Sequence, residues 1–495
     1  MIRKYIIGAL ILSTISCSGF LKEYSQDLAY VRSYTDLDEL LLGSGYLKFD
    51  GTALYCPYLH LMSDDVQENI AGTGLGGYSG IRDRYFGYYT WQERVDLGFD
   101  NLVTGSENDD WNRLYEHINV TNMVLAEIGN YEGTNDLERK EIARVRGEAY
   151  FLRGAYYFWL ANLYGKPYKA ATASVDPAVP LKLTEYIEDK KYIRNSVQEV
   201  YEQVLDDLNE AEKSLSEVAP KSIYRANLIA VYLLQSRVHL YMCNWEQAGY
   251  YAREVLERND KLVDLNTFDG DNFLTPRCAE IIFSTGANGM TDDRYSMRTK
   301  DYSASSDLLG AYAVNDLRSD RFFDTKYPPY YPCNKYVAYQ SEVSDIYVLR
   351  TAEAYLNLAE ACFHQNDEAG ARSALNTLRK NRFQSGTGYE ITSTGSVLIQ
   401  DIRNERFREL CFEGHRWFDL RRYGVDGNYP WEKTIRHTYT TFDGDDMPVQ
   451  TFVYELKPGD PAYTLPIPKE ARAYDDEITD NPRNPRGVVE TITYN

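Results

Sequence analysis

The sequence predicts a mainly α-helical protein, in which tetratricopeptide-like helix pairs form a scaffold with long irregular insertions and a few short strands. Apolar residues recur every three to four positions over about residues 107–258 and 349–424, the spacing of amphipathic helices. Two other stretches, about 50–105 and 262–347, are rich in Gly and Tyr and lack that period. Because stacked helix pairs share one core, we expect residues 17–495 to form a single domain.

Composition limits the classes of partner and cofactor. The 495 residues carry a net charge of −21 at pH 7, which argues against nucleic acid as a partner because nucleic acid requires a basic surface. The six histidines and seven cysteines show no metal-ligand spacing, so we expect no metal ion or cofactor. Cys56, Cys278 and Cys333 fall in loop-like stretches, where a disulfide is an open alternative to free thiols.

The N-terminus has the features of an export signal. Arg3 and Lys4 precede a short apolar run over residues 6–15, and Ser16 stands before Cys17. A run of this length is too short to span a bilayer as a helix, so residues 1–16 are predicted to be a cleaved signal peptide. A small residue before Cys predicts a bacterial lipoprotein site, with Cys17 carrying the lipid; the alternative is plain secretion with Cys17 removed.

Several helices are predicted from local signals. A short capped helix is expected over residues 36–42, and longer helices begin near Trp111 and over residues 137–163, the second ending before Gly165. Ser196 followed by Glu199 forms a capping box that starts the next helix.

Two helix pairs have the spacing of small and large apolar residues that is typical of tetratricopeptide repeats. One covers residues 225–242 and 244–258, and the other covers 349–364 and 367–381. A short strand is predicted over residues 281–284. The two F-D-G-D stretches, 268–271 and 442–445, do not complete a calcium loop and predict solvated turns.

Residues 404–424 are predicted to be one long helix around which the chain is organised. Its apolar stripe faces the core, and its charged residues are assigned to an outer face with weak pairs at i,i+3 spacing. Gly414 is interpreted as a site of close helix approach, and Gly424 as a left-handed helix end. A catalytic pair of Glu413 and His415 is the less favoured alternative, because helical patterning already explains both residues.

Five stretches together resemble the SusD/RagB family. They are ERFRELCFEGHRWFDLRRYG at 405–424, WNRLYEHINVTN at 111–122, EAYFLRGAYYF at 148–158, LPIPKE at 465–470 and NP at 481–482. The resemblance runs over nearly the whole chain, with strong motifs in the helices and weak ones in the loops. It implies a surface lipoprotein of the outer membrane, held in membrane lipid through Cys17. It also implies a non-enzymatic protein that binds a nutrient, usually a glycan, for a SusC-like TonB-dependent transporter.

Aromatic residues of the two insertions are the candidate ligand contacts, since a flat ring with a polar tip suits a sugar face. Such a cluster either packs beneath a loop or presents a binding face. A glycan is the expected ligand, an oligopeptide is the main alternative, and a glycoside hydrolase or a pure protein adaptor is less favoured. The candidates are Tyr88, Tyr89 and Trp91 in the first insertion and Tyr302, Tyr327 and Tyr330 in the second.

Overall fold

A computed structural model describes residues 31–47, 55–70, 81–286, 301–326, 328–337, 342–445 and 447–494. The predicted signal peptide, Cys17 and Tyr327 lie outside these residues. None of the helices in the described part of the chain combines the length and the apolar character needed to cross a membrane.

The described residues are mainly helical, with a few short strands, as the sequence predicts. The helices are α1 Tyr34–Leu40, α2 Ile81–Tyr89, α3 Asp109–Ile128, α4 Asp136–Tyr164, α5 Val197–Leu215, α6 Leu228–Tyr241, α7 Trp245–Arg258, α8 Ser306–Gly310, α9 Arg318–Phe322, α10 Thr351–His364, α11 Glu368–Lys380, α12 Gly395–Glu409, α13 Arg416–Gly424 and α14 Lys469–Tyr474. The strands are β1 Val66–Glu68, β2 Ile281–Phe283, β3 Tyr302–Ala304, β4 Leu349–Arg350, β5 Ile435–Phe442, β6 Pro448–Leu456 and β7 Glu490–Thr493.

The scaffold is a stack of helix pairs, in which α3 packs on α4, α4 on α5, α6 on α7 and α10 on α11. The capping box of Ser196 and Glu199 starts α5 as predicted. At Gly154 of α4, an added Cβ would lie 3.3 Å from the Val204 carbonyl oxygen of α5. The absence of a side chain there therefore sets the close approach of these two helices.

The segment predicted as one long helix is two helices, so that prediction is wrong. Helix α12 ends at Glu409 and α13 begins at Arg416. Between them Phe412 and Gly414 have φ values of 57° and 75°, which interrupt an α-helix. An added Cβ at Gly414 would lie 3.2 Å from Ile346 Cγ2. This glycine therefore makes the turn possible, in place of the close helix approach that we expected. Gly424 ends its helix, but without the expected left-handed conformation.

The predicted outer face of charges is also wrong, because these side chains are buried and paired, except for the half-buried Arg408. The expected pairs at i,i+3 spacing form in two cases, Glu405 with Arg408 and Asp419 with Arg422. Glu409 is 0% exposed and accepts hydrogen bonds from Arg318, Arg350 and Arg382 at 2.7–3.0 Å. Glu413 accepts two from Arg350, so it has a structural partner in place of a catalytic one. Burial would raise the pKa of Glu409, but the three guanidinium groups outweigh it and lower that pKa well below its ordinary value.

The tail of the chain closes the C-terminal end of α4. The Leu465 N–H donates to the Leu163 carbonyl at 3.1 Å, and the Asn481 side chain donates to that of Tyr164 at 2.7 Å. Arg194 also donates to Tyr164, and Arg421 donates to the carbonyls of residues 162 and 165. The last carbonyls of a helix lack intrahelical donors. Here the LPIP and NP motifs supply hydrogen-bond donors to the carbonyls of α4.

Three small antiparallel sheets complete the described fold: β1 with β3, β2 with β4, and β5–β6–β7. Strand β2 confirms the strand predicted at 281–284. The β5–β6 hairpin was not predicted, although its turn falls at the second F-D-G-D stretch. The six cysteines of the described residues are free thiols, so Cys56, Cys278 and Cys333 form no disulfide with one another.

Candidate functional site

Strands β1 and β3 join the two predicted insertions into one surface, which we call the insertion junction. Val66 pairs with Ala304 and Glu68 with Tyr302 in antiparallel register. Beyond the strands, the Ser305 side chain donates to the Asp64 carbonyl at 2.7 Å. Segments more than 230 residues apart therefore form a single unit, since each strand alone would lack hydrogen-bond partners along its edge.

An aromatic stack lies beneath the insertion junction. The His437 ring lies between Tyr89 and Trp91, with centroids 4.1 and 4.4 Å away. The Trp91 Nε1–H donates to the Met62 carbonyl at 2.9 Å. Burial lowers the pKa of His437 to about 4, while the carbonyls of Tyr89 and Ser63, at 2.7 and 3.1 Å from its two ring nitrogens, oppose the shift. The stack fixes the first insertion against β5 through packing and one directional hydrogen bond.

A buried ion pair attaches β1 to the hairpin. Glu68 lies 3.2 Å from the Arg82 guanidinium and accepts from the Thr440 N–H and hydroxyl, each at 2.8 Å. Burial raises the pKa of Glu68, while Arg82 and the Thr440 hydrogen bonds oppose the rise. All three residues are buried, so this pair holds the junction from within and does not face solvent.

A second ion pair attaches the junction to α13. Asp64 contacts Arg416 at 2.6 and 2.8 Å and Lys433 at 2.8 Å. Burial alone would raise the pKa of Asp64, but Arg416 and Lys433 outweigh it and hold that pKa well below its usual range. Lys433 also contacts the exposed Asp307 of α8 at 2.8 Å, so it links this buried pair to the surface.

The predicted ligand-contact rings pack inside the protein. Tyr88, Tyr89, Trp91, Tyr302 and Tyr330 are each no more than 6% exposed. Tyr88 stacks on Tyr58 with centroids 4.2 Å apart, and Tyr89 contacts Tyr302 at 4.8 Å. The structure therefore shows the packing alternative for these five rings, while ligand contact by any of them stays a prediction.

Polar side chains at the surface of the junction are suited to hydrogen bonding with hydroxyl groups. Asp83, Ser306 and Asp307 are exposed, and Gln67 is half-buried, its Oε1 accepting from the Ser306 N–H at 2.9 Å. Within the described ranges, no group of three His, Cys, Asp or Glu side chains is arranged to hold a metal ion. The arrangement offers binding groups on a supported surface.

Sequence reasoning missed the residues that support the junction. Asp64 lies in the first insertion, where no pattern singles it out. Lys433 precedes, and His437 belongs to, a hairpin that was not predicted. The run of β-branched and aromatic residues over 435–442 is a sequence signal that could have revealed β5.

Family models cover most of the chain. One described as "SusD family" matches residues 243–483, and another described as "Starch-binding associating with outer membrane" matches residues 87–240. A curated relative, "SusD-like protein P25" of Formosa agariphila, is 23% identical over 501 aligned residues, covering 84% of this chain and 88% of the relative.

Solved structures of the same superfamily share the fold. A "putative sugar binding protein" from Bacteroides vulgatus aligns with a TM-score of 0.71 at 22% identity, covering 91% of this chain and 99% of the other. A SusD superfamily protein from Bacteroides thetaiotaomicron aligns with a TM-score of 0.65 at 22% identity, covering 91% and 100%. The two family models, together with the hallmark helices and the closing LPIP motif, establish that the chain belongs to the SusD/RagB family.

Proposed function

We propose that this chain is a non-enzymatic lipoprotein that binds a nutrient, most often a glycan, at the outer membrane. It is anchored in membrane lipid through Cys17, faces the cell exterior, and passes the nutrient to a SusC-like TonB-dependent transporter. The outer-membrane association in the description of the matching family model supports the location. The signal-peptide and lipoprotein pattern around Cys17 supports the anchor.

The insertion junction is the proposed capture surface, and the pairing of β1 with β3 is the observation that carries this proposal. A binding surface benefits when its polar groups are held in place before the ligand arrives, because less conformational entropy is lost on binding. The buried Glu68–Arg82 and Asp64–Arg416 pairs supply that support. Exposed Asp83 and Asp307 would accept hydrogen bonds from sugar hydroxyls.

The aromatic candidates have a supporting part in this proposal. Tyr89, Trp91 and Tyr302 form the packed floor of the junction, and Tyr88 and Tyr330 are also buried. Tyr327 is kept as a candidate contact from sequence alone. A rigid floor fixes the polar groups above it, so these rings contribute to affinity by limiting motion of the capture surface.

An oligopeptide is the second candidate ligand, since the same carboxylates would bind peptide N–H groups and basic side chains. A glycoside hydrolase would require two carboxyl groups about 5–9 Å apart across a scissile bond. The strongly paired carboxylates, Glu409 and Glu413, are buried in ion pairs with arginine, which leaves them without access to a substrate. Glu409 and Glu413 are therefore not candidates for the two catalytic carboxyl groups of a hydrolase.

The direct test is binding of a soluble form, residues 18–495, to a panel of polysaccharides and oligopeptides, with recovery of the bound material. We expect one ligand class to bind and to be recovered intact. Recovery of cleaved material would contradict the non-enzymatic proposal.

A matched pair of double variants tests the location. Gln67→Ala with Asp307→Ala alters the junction, whereas Gln198→Ala with Asp136→Ala makes the same changes on the scaffold helices α5 and α4. We expect the junction variant to weaken binding about tenfold and the scaffold variant to leave it unchanged. Equal effects would place the ligand elsewhere.

A further inference from the structure

A cleft of about 380 Å³ lies between the C-terminal end of α4, the end of α13 and the tail. Lys166 and Pro167 form one wall, and residues 459–464 form another. Arg421 and Val425 line it from α13, and the half-buried ring of Tyr463 lines it from the tail. This volume falls within the range of about 300–1,000 Å³ that is typical of small-molecule sites.

Arg421 is a buried cation whose charge lacks a carboxylate among the described residues. It is 4% exposed, and its two terminal nitrogens donate to the carbonyls of residues 162 and 165. Its Nε–H is buried and has no acceptor in the described part of the chain. Buried charges in proteins are normally paired. The hydrogen bonds to the end of α4 therefore satisfy two of the donor nitrogens of Arg421 but do not balance its charge.

The pKa of Arg421 reflects the lack of an ion-pair partner among the described residues. Burial lowers the pKa of Arg421 to about 10, with the two tyrosines Tyr201 and Tyr241 opposing the shift. By contrast, burial is outweighed at Arg416, where Asp64 raises the guanidinium pKa above its ordinary value. A ligand carboxylate beside Arg421 would supply the counter-charge that Arg416 already has.

The other charged side chains of the cleft already have hydrogen-bond or ion-pair partners. Lys166 and Lys433 are on its walls and each already contacts an aspartate, Asp176 at 2.6 Å and Asp64 at 2.8 Å. Of the two acids that line the cleft, Asp460 accepts two hydrogen bonds from Arg486 at 2.8 Å, and Glu432 accepts one from the Gly459 N–H at 3.1 Å. The lining thus combines three cationic and two acidic side chains with an aromatic ring, in a chain whose net charge is −21.

We propose that this cleft binds a carboxylate-bearing sugar of the hexuronate class, with the carboxylate toward Arg421 and Lys166 and the sugar ring against Tyr463. The cations supply charge-assisted hydrogen bonds, and the tyrosine supplies a flat apolar surface for the C–H groups of a pyranose. The chemistry is the same for a free sugar acid and for the acidic end of an oligosaccharide. The proposal does not depend on nutrient capture at the insertion junction.

The test measures binding of glucuronate, galacturonate and glucose to the purified full chain by ligand-observed saturation-transfer NMR and calorimetry. We expect both uronates to bind and glucose to bind at least tenfold more weakly. A uronate-terminated oligosaccharide added to the panel distinguishes the two sources, because tighter binding than the free sugar assigns the acidic end of a glycan. Equal binding of glucose and the uronates, or no uronate binding, would overturn the proposal.

Two matched pairs of variants place the ligand. Val425→Trp fills the cleft and should weaken uronate binding at least tenfold, whereas Val397→Trp on the exposed face of α12 should not. Lys166→Gln should weaken binding about threefold, and its exposed neighbour Lys169→Gln should leave it unchanged. Thermal unfolding of each variant shows whether it is folded, and the exposed Lys166 variant remains informative if Val425→Trp unfolds. Unchanged binding in both cleft variants would contradict the assignment.

Discussion

Asp64 and Arg416 are 352 residues apart in the chain and form a two-point ion pair, with Oδ1–Nε at 2.6 Å and Oδ2–Nη2 at 2.8 Å. The pair is buried and joins the first insertion to α13. The guanidinium depends on the carboxylate, because Arg416 without Asp64 would remain buried and charged with no carboxylate paired to it among the described residues.

Removing this carboxylate should therefore destabilise the fold. We expect Asp64→Asn to lower the free energy of unfolding by about 3–5 kcal/mol, the usual cost of breaking a buried pair. Asp307→Asn is the matched control, since Asp307 also contacts Lys433 but its side chain is 65% exposed; its cost should be about 0–1 kcal/mol. Urea unfolding of both variants checks this, and equal losses would contradict it.

Stability should fall in acid, in part through Glu360. Burial would raise the pKa of Glu360, but Arg422, with contacts of 2.6 and 2.8 Å, outweighs it and lowers the pKa from 4.5 to about 2. A pKa lowered by folding contributes stability above pH 4.5, and that contribution is lost as the pH falls toward 2. Unfolding measured from pH 7 to pH 3 should show a smaller decline in Glu360→Gln than in the parent. Glu257→Gln on the exposed side of α7 should keep the parent slope.

The turn between α12 and α13 should depend on glycine at position 414. Gly414→Ala places a side chain at a φ of 75° and 3.2 Å from Ile346 Cγ2, and we expect a loss of about 1–3 kcal/mol in the free energy of unfolding. Gly427→Ala is the control, because nothing lies within 4 Å of its added Cβ. A stable Gly414→Ala protein would show that the turn can relax.

Trp91 should behave as a structural residue. It is 1% exposed and donates to the Met62 carbonyl, so Trp91→Ala should cost about 3–5 kcal/mol in unfolding free energy. Tyr474→Ala, at a ring that is 90% exposed, should change it by no more than about 0.5 kcal/mol. Chemical denaturation measures both, and a normal stability for Trp91→Ala would revive its interpretation as an accessible ligand platform.

The lipid anchor has its own test in cell fractionation. The parent chain should partition with the outer membrane and into the detergent phase, whereas Cys17→Ala should appear in the aqueous phase because acyl chains supply the membrane affinity. Cys243→Ala removes a different thiol and should fractionate like the parent. Membrane retention of Cys17→Ala would show that another element holds the protein there.

Helical periodicity predicted the scaffold well, because each amphipathic helix is encoded within a short window. The capping box at Ser196 and the stop at Gly165 were likewise local signals. The same periodicity misled at residues 404–424, where the apolar spacing continues across a turn that Gly414 makes possible. Spacing alone cannot reveal a φ of 75° at the centre of such a segment.

Charge patterning could not show which charges are buried. Glu409 and Arg350 belong to different elements, and their contact depends on the tertiary fold, as does that of Asp64 with Arg416. From sequence, an acidic or basic residue at helical spacing is most simply assigned to solvent. The aromatic residues of the insertions raised the same difficulty, since a ring suited to a ligand is equally suited to a core.

The capping of α4 by the tail has a consequence for how the protein is made. The Asn481 donor lies 317 residues after its acceptor Tyr164, so it is synthesised long after the helix that it caps, and the same holds for Leu465 and Leu163. Until they emerge, the longest helix of the described fold has an unfinished end, and the first scaffold pair lacks its final closure. Closure of this helix end is thereby coupled to synthesis of the segment that holds Leu465 and Asn481. A product truncated before that segment would keep exposed carbonyls that proteases and chaperones can recognise.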